Sequence, residues 1–372
     1  MKKILFHIPQ LGSGGIEKLV RQWYPVAEEY DIKYVFTVIV TGGQAYDFFK
    51  EKGYTIYTVG KLGELGLKKY IDQFIKIIKE EDIQGVHVPA SPMSSLILFA
   101  AWRAKCNMRI IHAHTNKYIR DDESEWSGWK LRLFRLVNNV MSNIKCTASE
   151  SAAQYCYGKT KNVIYIYNGI DISKFKYNCN VRNNTRRQLN INEDCLVLGN
   201  VGRLTYQKNQ EFVIYILREI LNRGISAKAV LIGEGEDKNK LEKIVAENSL
   251  VDSVIFAGTT DEPNRYYCAM DAFVFPARYE GLGIVAVEAQ TSGVQCYVST
   301  EVPEDAVISD RTLRIPLNIG PKGWADLILS NKNERKIDAW HDAEKSGFDE
   351  TKTVRKMIGV YLGEKLDAFD DK

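Results

Sequence analysis

Leu196-Val197-Leu198-Gly199-Asn200-Val201-Gly202-Arg203-Leu204-Thr205-Tyr206-Gln207-Lys208-Asn209 is the stretch that decides the fold. Leu196 to Val201 reads as a buried strand. A glycine follows, then a loop carrying two cations, then a helical pattern from Gln210 to Asn222. Further runs of the same kind follow: Ala229 to Ile232, Val254 to Ala257, Ala272 to Phe275 and Cys296 to Ser299. A helix from Gly283 to Ser292 lies between the last two. Strand–helix alternation of this kind predicts a doubly wound parallel sheet.

The first half of the chain repeats the pattern. Lys3 to Ile8, Tyr34 to Val40, Thr55 to Val59, Val86 to Val88, Arg109 to His112, Ile144 to Thr147 and Val163 to Ile166 read as strands. Helices are expected from about Gly15 to Tyr30, near Tyr46 to Lys52, around Leu67 to Ile78 and from Ser94. Residues 174–194 are polar and Asn-rich with little periodicity, which predicts a linker. The expected organisation is therefore α/β. A Rossmann-like domain spans 1–173, a second one spans 195–350, and a C-terminal helix at 351–372 packs back on the first. At 372 residues the chain exceeds what one core usually supports. Open α/β sheets bind ligands beyond the carboxyl ends of their strands. Two such sheets facing a cleft should carry their functional residues just after strands, in both halves.

Composition narrows the class. Hydrophobic residues make up 45% and charged residues 26%, which excludes disordered and collagen-like chains. A net charge of +3 argues against a general nucleic-acid binder. The total hides an asymmetry: residues 1–180 sum to +8 and residues 181–372 to −5. Seven cysteines without a Cys-x-x-Cys pair predict reduced, buried thiols in a cytoplasmic protein. The apolar run near the N-terminus stops at His7 and Pro9, too short for a signal peptide, and no later run can span a bilayer.

Three motifs follow strands. Gly12-Ser13-Gly14-Gly15-Ile16-Glu17 opens a helix, where glycines let a phosphate approach the backbone. Glu17 stands at the third glycine position of the dinucleotide fingerprint, so that fingerprint fails; a flexible turn is the plainer alternative. Arg203 and Lys208 in the second motif supply a fork donor and a point charge suited to a diphosphate. The third is Tyr279-Glu280-Gly281-Leu282-Gly283-Ile284-Val285-Ala286-Val287-Glu288. Glu280 and Glu288 can accept hydrogen bonds from sugar or ribose hydroxyls. The helix N-terminal amides between them can hold an anion. A capping acid plus a surface glutamate is the structural alternative.

Together these motifs carry a resemblance. The Glu-x7-Glu pair, Gly202-Arg203-x4-Lys208-Asn209, the glycine-rich loop and Asn168-Gly169-Ile170-Asp171 occur in order. Ile111-His112-Ala113-His114, Ala148-Ser149-Glu150-Ser151-Ala152-Ala153 and Ser299-Thr300-Glu301-Val302-Pro303 support them. The set resembles the retaining GT-B glycosyltransferases of family four, in the style of bacterial capsule and exopolysaccharide enzymes. The resemblance runs from Gly12 to about Ile315. It implies a catalytic group of Glu280, His114, Lys208 and Arg203. Arg203 and Lys208 would hold the donor diphosphate, Glu288 the ribose and Glu280 the donor sugar. His114 would sit near that sugar, whereas His112, on the same strand face, is expected in the core. Amides of Leu282, Gly283, Ile284, Val285, Gly14 and Gly15 would line the phosphates and sugar. Arg278 and Gln295 depart from the family pattern without touching those ligands.

The resemblance implies transfer from a nucleotide-diphosphate sugar, most simply a UDP-sugar, to a glycan or lipid-linked acceptor. A nucleotide-sugar epimerase on the same fold and a non-catalytic partner subunit are the alternatives. No Asp-x-Asp triplet occurs, and His112 and His114 lack a third ligand at metal spacing, so no metal and no cofactor are expected. The basic first half adds an expected contact with an anionic membrane surface, at the inner face of the cell membrane. Its carriers are Lys2 and Lys3, the lysines 68, 69, 76 and 79, and the cluster Trp126, Trp129, Lys130, Arg132, Phe134 and Arg135. Solvated helices with core aromatics would leave the same pattern.

Overall fold

A computed structural model describes residues 1–12, 15–91, 93–115, 128–331 and 334–364. The chain divides into two compact units, 1–169 with 350–372, and 170–349.

The first unit holds seven parallel strands: β1 (Lys2–His7), β2 (Ile32–Val38), β3 (Thr55–Thr58), β4 (Gly85–Pro89), β5 (Met108–Ala113), β6 (Ile144–Thr147) and β7 (Ile164–Tyr165). Their order is β3-β2-β1-β4-β5-β6-β7. The order reverses direction beside β1, which places a ligand crevice at the carboxyl ends of β1 and β4. Side chains alternate across a strand, so β1 feeds two cores. Ile4 and Phe6 pack on one face with Trp23 and Tyr34, and Leu5 on the other with Phe74 and Val86. Burial on both faces is why these strands read as apolar runs without alternation.

The helix Glu350–Leu362 belongs to this first unit. It buries Val354, Met357, Ile358 and Tyr361 on the Phe6 face. Tyr361 is tied at both ends. Its carbonyl accepts a hydrogen bond from Lys2 Nζ at 2.6 Å, and its hydroxyl meets His87 Nδ1 at 2.7 Å.

The second unit holds β8 (Leu196–Val201), β9 (Ala227–Ile232), β10 (Val254–Gly258), β11 (Ala272–Phe275), β12 (Gln295–Ser299) and β13 (Thr312–Ile315). All pairings are parallel, in the order β10-β9-β8-β11-β12-β13. The strand β13 was not among those expected from the sequence. Thr312 to Arg314 are only half-buried on this edge, and Arg314 interrupts the apolar pattern.

The stretch 174–194, expected as a linker, is not one. It contains the helix Cys179–Gln188 and belongs to the second unit. Asn178 starts that helix by accepting from the amides of Asn180 and Val181 at 2.9 and 3.2 Å. Its anchors are charges rather than apolar groups, so hydropathy did not show them. Arg182 and Arg186 both reach Asp271, which also accepts from the amide of Val197 at 2.8 Å. The buried Arg186 guanidinium further donates to the carbonyls of Ala269 and Cys195. An Asp271→Ala variant leaves Arg186 buried without its counter-charge. It is expected to lower stability by about 3 kcal/mol in urea unfolding, since breaking a buried pair by removing one partner costs that much. A loss under ~0.5 kcal/mol would show that the carbonyls alone hold the helix.

Candidate active site

In the second unit the site begins where β8 ends. Leu204 donates its amide to the Glu234 carbonyl at 3.0 Å, and Asp237 donates to the Leu204 carbonyl at 3.1 Å. The loops after β8 and β9 are thus zipped backbone to backbone. Glycines make this approach feasible: a Cβ on Gly233 would lie 2.1 Å from the Gly202 oxygen, and one on Gly235 2.2 Å from the Leu204 oxygen. Gly233-Glu234-Gly235, not among the motifs expected from the sequence, carries the signal of a paired glycine after a strand. Gln210 then donates to the Arg203 carbonyl at 3.0 Å and to Asn200 Oδ1 at 3.2 Å. Every turn of the loop is fixed before its cations are considered.

Lys208 and Glu280 form an ion pair in which both side chains are mostly buried, 17% and 12% exposed. The ammonium also lies 5.0 Å from the centre of the Phe275 ring. The second carboxylate oxygen of Glu280 accepts from the Gly281 amide at 3.2 Å. Gly283 follows with φ +85 and starts the helix Ile284–Thr291 without a side-chain cap. The first-turn amides of Ile284 and Val285 stay available, and the helix dipole favours an anion there. Leu282 and Gly283 are buried, so only their backbone can serve a ligand. Arg203 stands in solvent at 77% exposure, 3.9 Å from Glu236.

Glu288 is placed differently from Glu280. It lies on the buried face of the helix and accepts a hydrogen bond from Tyr267 at 2.9 Å. Burial and the neighbouring carboxylate push the Tyr267 hydroxyl well above its ordinary range, so it stays a donor. Tyr267 was absent from the sequence reading. Its only signal was a tyrosine in an apolar helix, whose hydroxyl needs a partner once buried.

The first unit contributes fewer described site residues. Ser13, Gly14 and Trp126 lie outside the described residues. Gly15 begins the helix Gly15–Glu29. Glu17, at the third glycine position, folds back so that its carboxylate accepts from the Gly12 amide at 3.3 Å. His114 follows β5, with its ring 4.0 Å from that of His112. His112 is fully buried, stacks on Trp23 at 6.1 Å and on His87 at 5.5 Å. Burial lowers His114 to about 4 and holds His87 and His112 well below the ordinary value. All three rings are therefore neutral at pH 7. Among the described residues, no three His, Cys, Asp or Glu side chains are grouped to hold a metal, and no helix is long and apolar enough to cross a membrane. None of the seven cysteines is in a disulfide; Cys179 is exposed and the other six are buried.

Comparison with known proteins bears on this geometry. Residues 181–312 match the family described as glycosyl transferases group 1. Over those residues the chain resembles that family. It is 25% identical to the glycosyltransferase EpsF of Bacillus subtilis strain 168, over 97% of this chain and 96% of that protein. It is 24% identical to the capsular polysaccharide biosynthesis glycosyltransferase CapH of Staphylococcus aureus, over 98% and 100%. The solved structure of HepE from Anabaena, in complex with UDP, superposes with a TM-score of 0.78 at 16% identity, covering 98% of this chain and all of that one. The likeness shows the fold: the two parallel sheets are Rossmann-like, as in the GT-B fold.

The glycosyltransferase domain match includes the cation loop, Glu280 and Glu288, but not His114. The histidines give the first unit a pH dependence of its own. His7, held by Thr37 at 3.0 Å, is also lowered to about 4 by burial. The unfolded chain binds these protons near the ordinary imidazole value of 6.5 and the folded chain does not. Stability is therefore complete above pH 6.5, falls as the pH drops, and levels off only below about 4. Each histidine adds a slope of about 1.4 kcal/mol per pH unit in that window. Urea unfolding across it should show uptake of more than one proton; a flat profile would refute neutral buried rings.

Proposed function

We propose that the protein is a retaining, metal-independent glycosyltransferase. It moves a hexosyl or N-acetylhexosaminyl group from a UDP-sugar to a glycan or lipid-linked acceptor in capsule or exopolysaccharide biosynthesis. The observation that carries this reading is the Lys208–Glu280 pair beside an uncapped helix N-terminus. EpsF and CapH, by their names, and HepE, by its bound UDP, support the direction.

The chemistry follows from the charges. A donor diphosphate takes Lys208 from Glu280, gains Arg203, and accepts from the amides of Ile284 and Val285. Glu280, released, accepts from hydroxyls of the donor sugar. Glu288, oriented by Tyr267, is assigned to the ribose. As the sugar leaves, negative charge grows on the diphosphate, and these fixed donors stabilise it without reorganising. No residue of the chain serves as nucleophile: the leaving phosphate oxygen takes the proton of the acceptor hydroxyl. Neutral His114 can accept or donate one hydrogen bond at the sugar.

Removing one such donor costs about 10²–10³ in rate. Lys208→Ala and Glu280→Ala should each abolish measurable transfer with the fold intact, and the double variant should be no worse than either alone. Full activity in either variant ends the assignment. In a thermal-shift series of UDP-, GDP- and ADP-sugars, the UDP-sugar should stabilise most, by about 2.7 kcal/mol at a hundredfold excess over Kd. Conversion of the donor without acceptor would favour an epimerase, and no nucleotide binding at all a non-catalytic subunit.

A peripheral site at an anionic membrane belongs to the same reading. The helix Gly128–Met141 buries Phe134 and Asn138 and exposes Trp129, Leu133, Leu136 and Val140, each by 52–70%. These four fall at helical spacing along one stripe. Exposed Lys130 and Arg132 flank it, and the helix carries no acid. That pattern suits a helix lying in a lipid interface. The sequence 121–125 just before it is acidic, so vesicle charge is the discriminating variable. Sedimentation with phosphatidylglycerol vesicles should exceed that with phosphatidylcholine and weaken with salt. Changing Lys130 and Arg132 to Gln should cut binding roughly 25-fold. Equal binding to both vesicles, or none, removes the membrane from the reading.

A further inference from the structure

Arg278 precedes Glu280 by two residues and reads in sequence as a departure remote from the ligands. The structure places it differently. Its backbone amide donates to the Gln207 carbonyl at 2.8 Å. One terminal nitrogen of its guanidinium donates to the Tyr206 carbonyl at 2.7 Å, and the other to Glu211 at 3.1 Å. The guanidinium carbon lies 4.1 Å from the centre of the Tyr206 ring. Two further bonds run between the same two loops. Gln207 Nε2 donates to the Tyr279 carbonyl at 3.1 Å, and Asn209 Nδ2 to the Pro276 carbonyl at 2.9 Å.

We propose that Arg278 is the clasp that registers the Arg203–Lys208 loop against the Glu280 loop, and is thereby a positioning residue for donor binding. This rests on the donor site assigned above. Lys208 is a flexible point charge, and its ammonium has a defined place only if its backbone does. Tyr206 and Gln207, the residues immediately before Lys208, are the ones that Arg278 holds. On the other side, Tyr279 and Arg278 immediately precede Glu280. Both members of the ion pair therefore hang from one clasped segment. A misplacement of about 1 Å at such a site costs roughly a hundredfold in rate.

The task requires arginine. Two donors must reach a carbonyl and a carboxylate while the plane covers an aromatic ring. A guanidinium fork can do this and an ammonium cannot. Glu211 has its own place in the clasp. It lies in the first turn of the helix Gln210–Leu221 and is also paired with Lys240 at 2.5 Å, so Arg278 is tied to a rigid element.

The test compares Arg278→Ala, Arg278→Lys and Glu211→Ala. In the unliganded protein, hydrogen exchange of the amides 204–209 should speed up at least tenfold in both Arg278 variants, with the midpoint of thermal unfolding nearly unchanged. This readout needs no donor and stands or falls apart from the assigned activity. UDP affinity by calorimetry should fall about a hundredfold in Arg278→Ala, less in Glu211→Ala, and lysine should not rescue it. The acceptor KM should not move. Free guanidinium added to Arg278→Ala should restore part of the affinity. Unchanged exchange across 204–209, or full rescue by lysine, overturns the clasp. Loss of UDP binding with exchange unchanged would also overturn it, because Arg278 would then be a direct donor ligand. Wild type that binds no UDP while its variants still show faster exchange would keep the clasp and sink the donor assignment.

Discussion

The ion pair between Lys208 and Glu280 is the constraint on which the candidate site of the second unit depends. Two opposite charges, both mostly out of solvent, are tolerated only when each has its partner in good geometry. That condition reaches far into the chain. Lys208 sits on a loop after β8 and Glu280 on a loop after β11, and these strands are neighbours in the sheet. The loops must meet at one register. The close backbone approach at Gly233 and Gly235 fixes the first from one side, and the clasp of Arg278, Gln207 and Asn209 fixes it to the second. Under the proposed function, the pair also accounts for how a site for an anion stays folded before the anion arrives. In that reading Glu280 occupies Lys208 in place of a phosphate, and the same carboxylate is then released for hydroxyl recognition.

The first unit meets a different constraint. Four histidines, His7, His87, His112 and His114, lie in or at the end of buried strands, and burial keeps them neutral. Their rings act partly as flat core side chains. His112 lies within 3° of parallel to Trp23, and His87 within 16°. The last helix of the chain closes this core with Tyr361, which explains why residues 350–362 return to a unit whose other residues end at 169.

Much of this was legible in sequence where one physical signal dominated. Leu196 to Val201 and Ala272 to Phe275 were read to the residue, because strands buried on both faces are unbroken apolar runs. Lys208 and Glu280 were both singled out because loops after parallel strands carry function. The helix Cys179–Gln188 was misread because ion pairs and a capping Asn hold it, and neither leaves a hydrophobic period. Edge strand β13 was lost for a related reason: one half-exposed side relaxes the demand for apolar residues. Glu288 was recognised as a carboxylate of interest, but its burial against Tyr267 was not visible. Nor was the part played by Arg278, which depends on a partner 72 residues away.

Local sequence specifies the alternation of strands and helices, the parallel sheets, and the loops that carry the candidate site residues. These follow from local periodicity and from glycines and charges placed directly after strands, both properties of neighbouring residues. Folding settles which charges pair, which carboxylate is buried, that an Asn-rich stretch is a helix of the second unit, and that the helix Glu350–Leu362 completes the first core. Those outcomes depend on desolvation and on contacts between residues far apart in the chain. No local pattern encodes the energy of a charge before its surroundings are known.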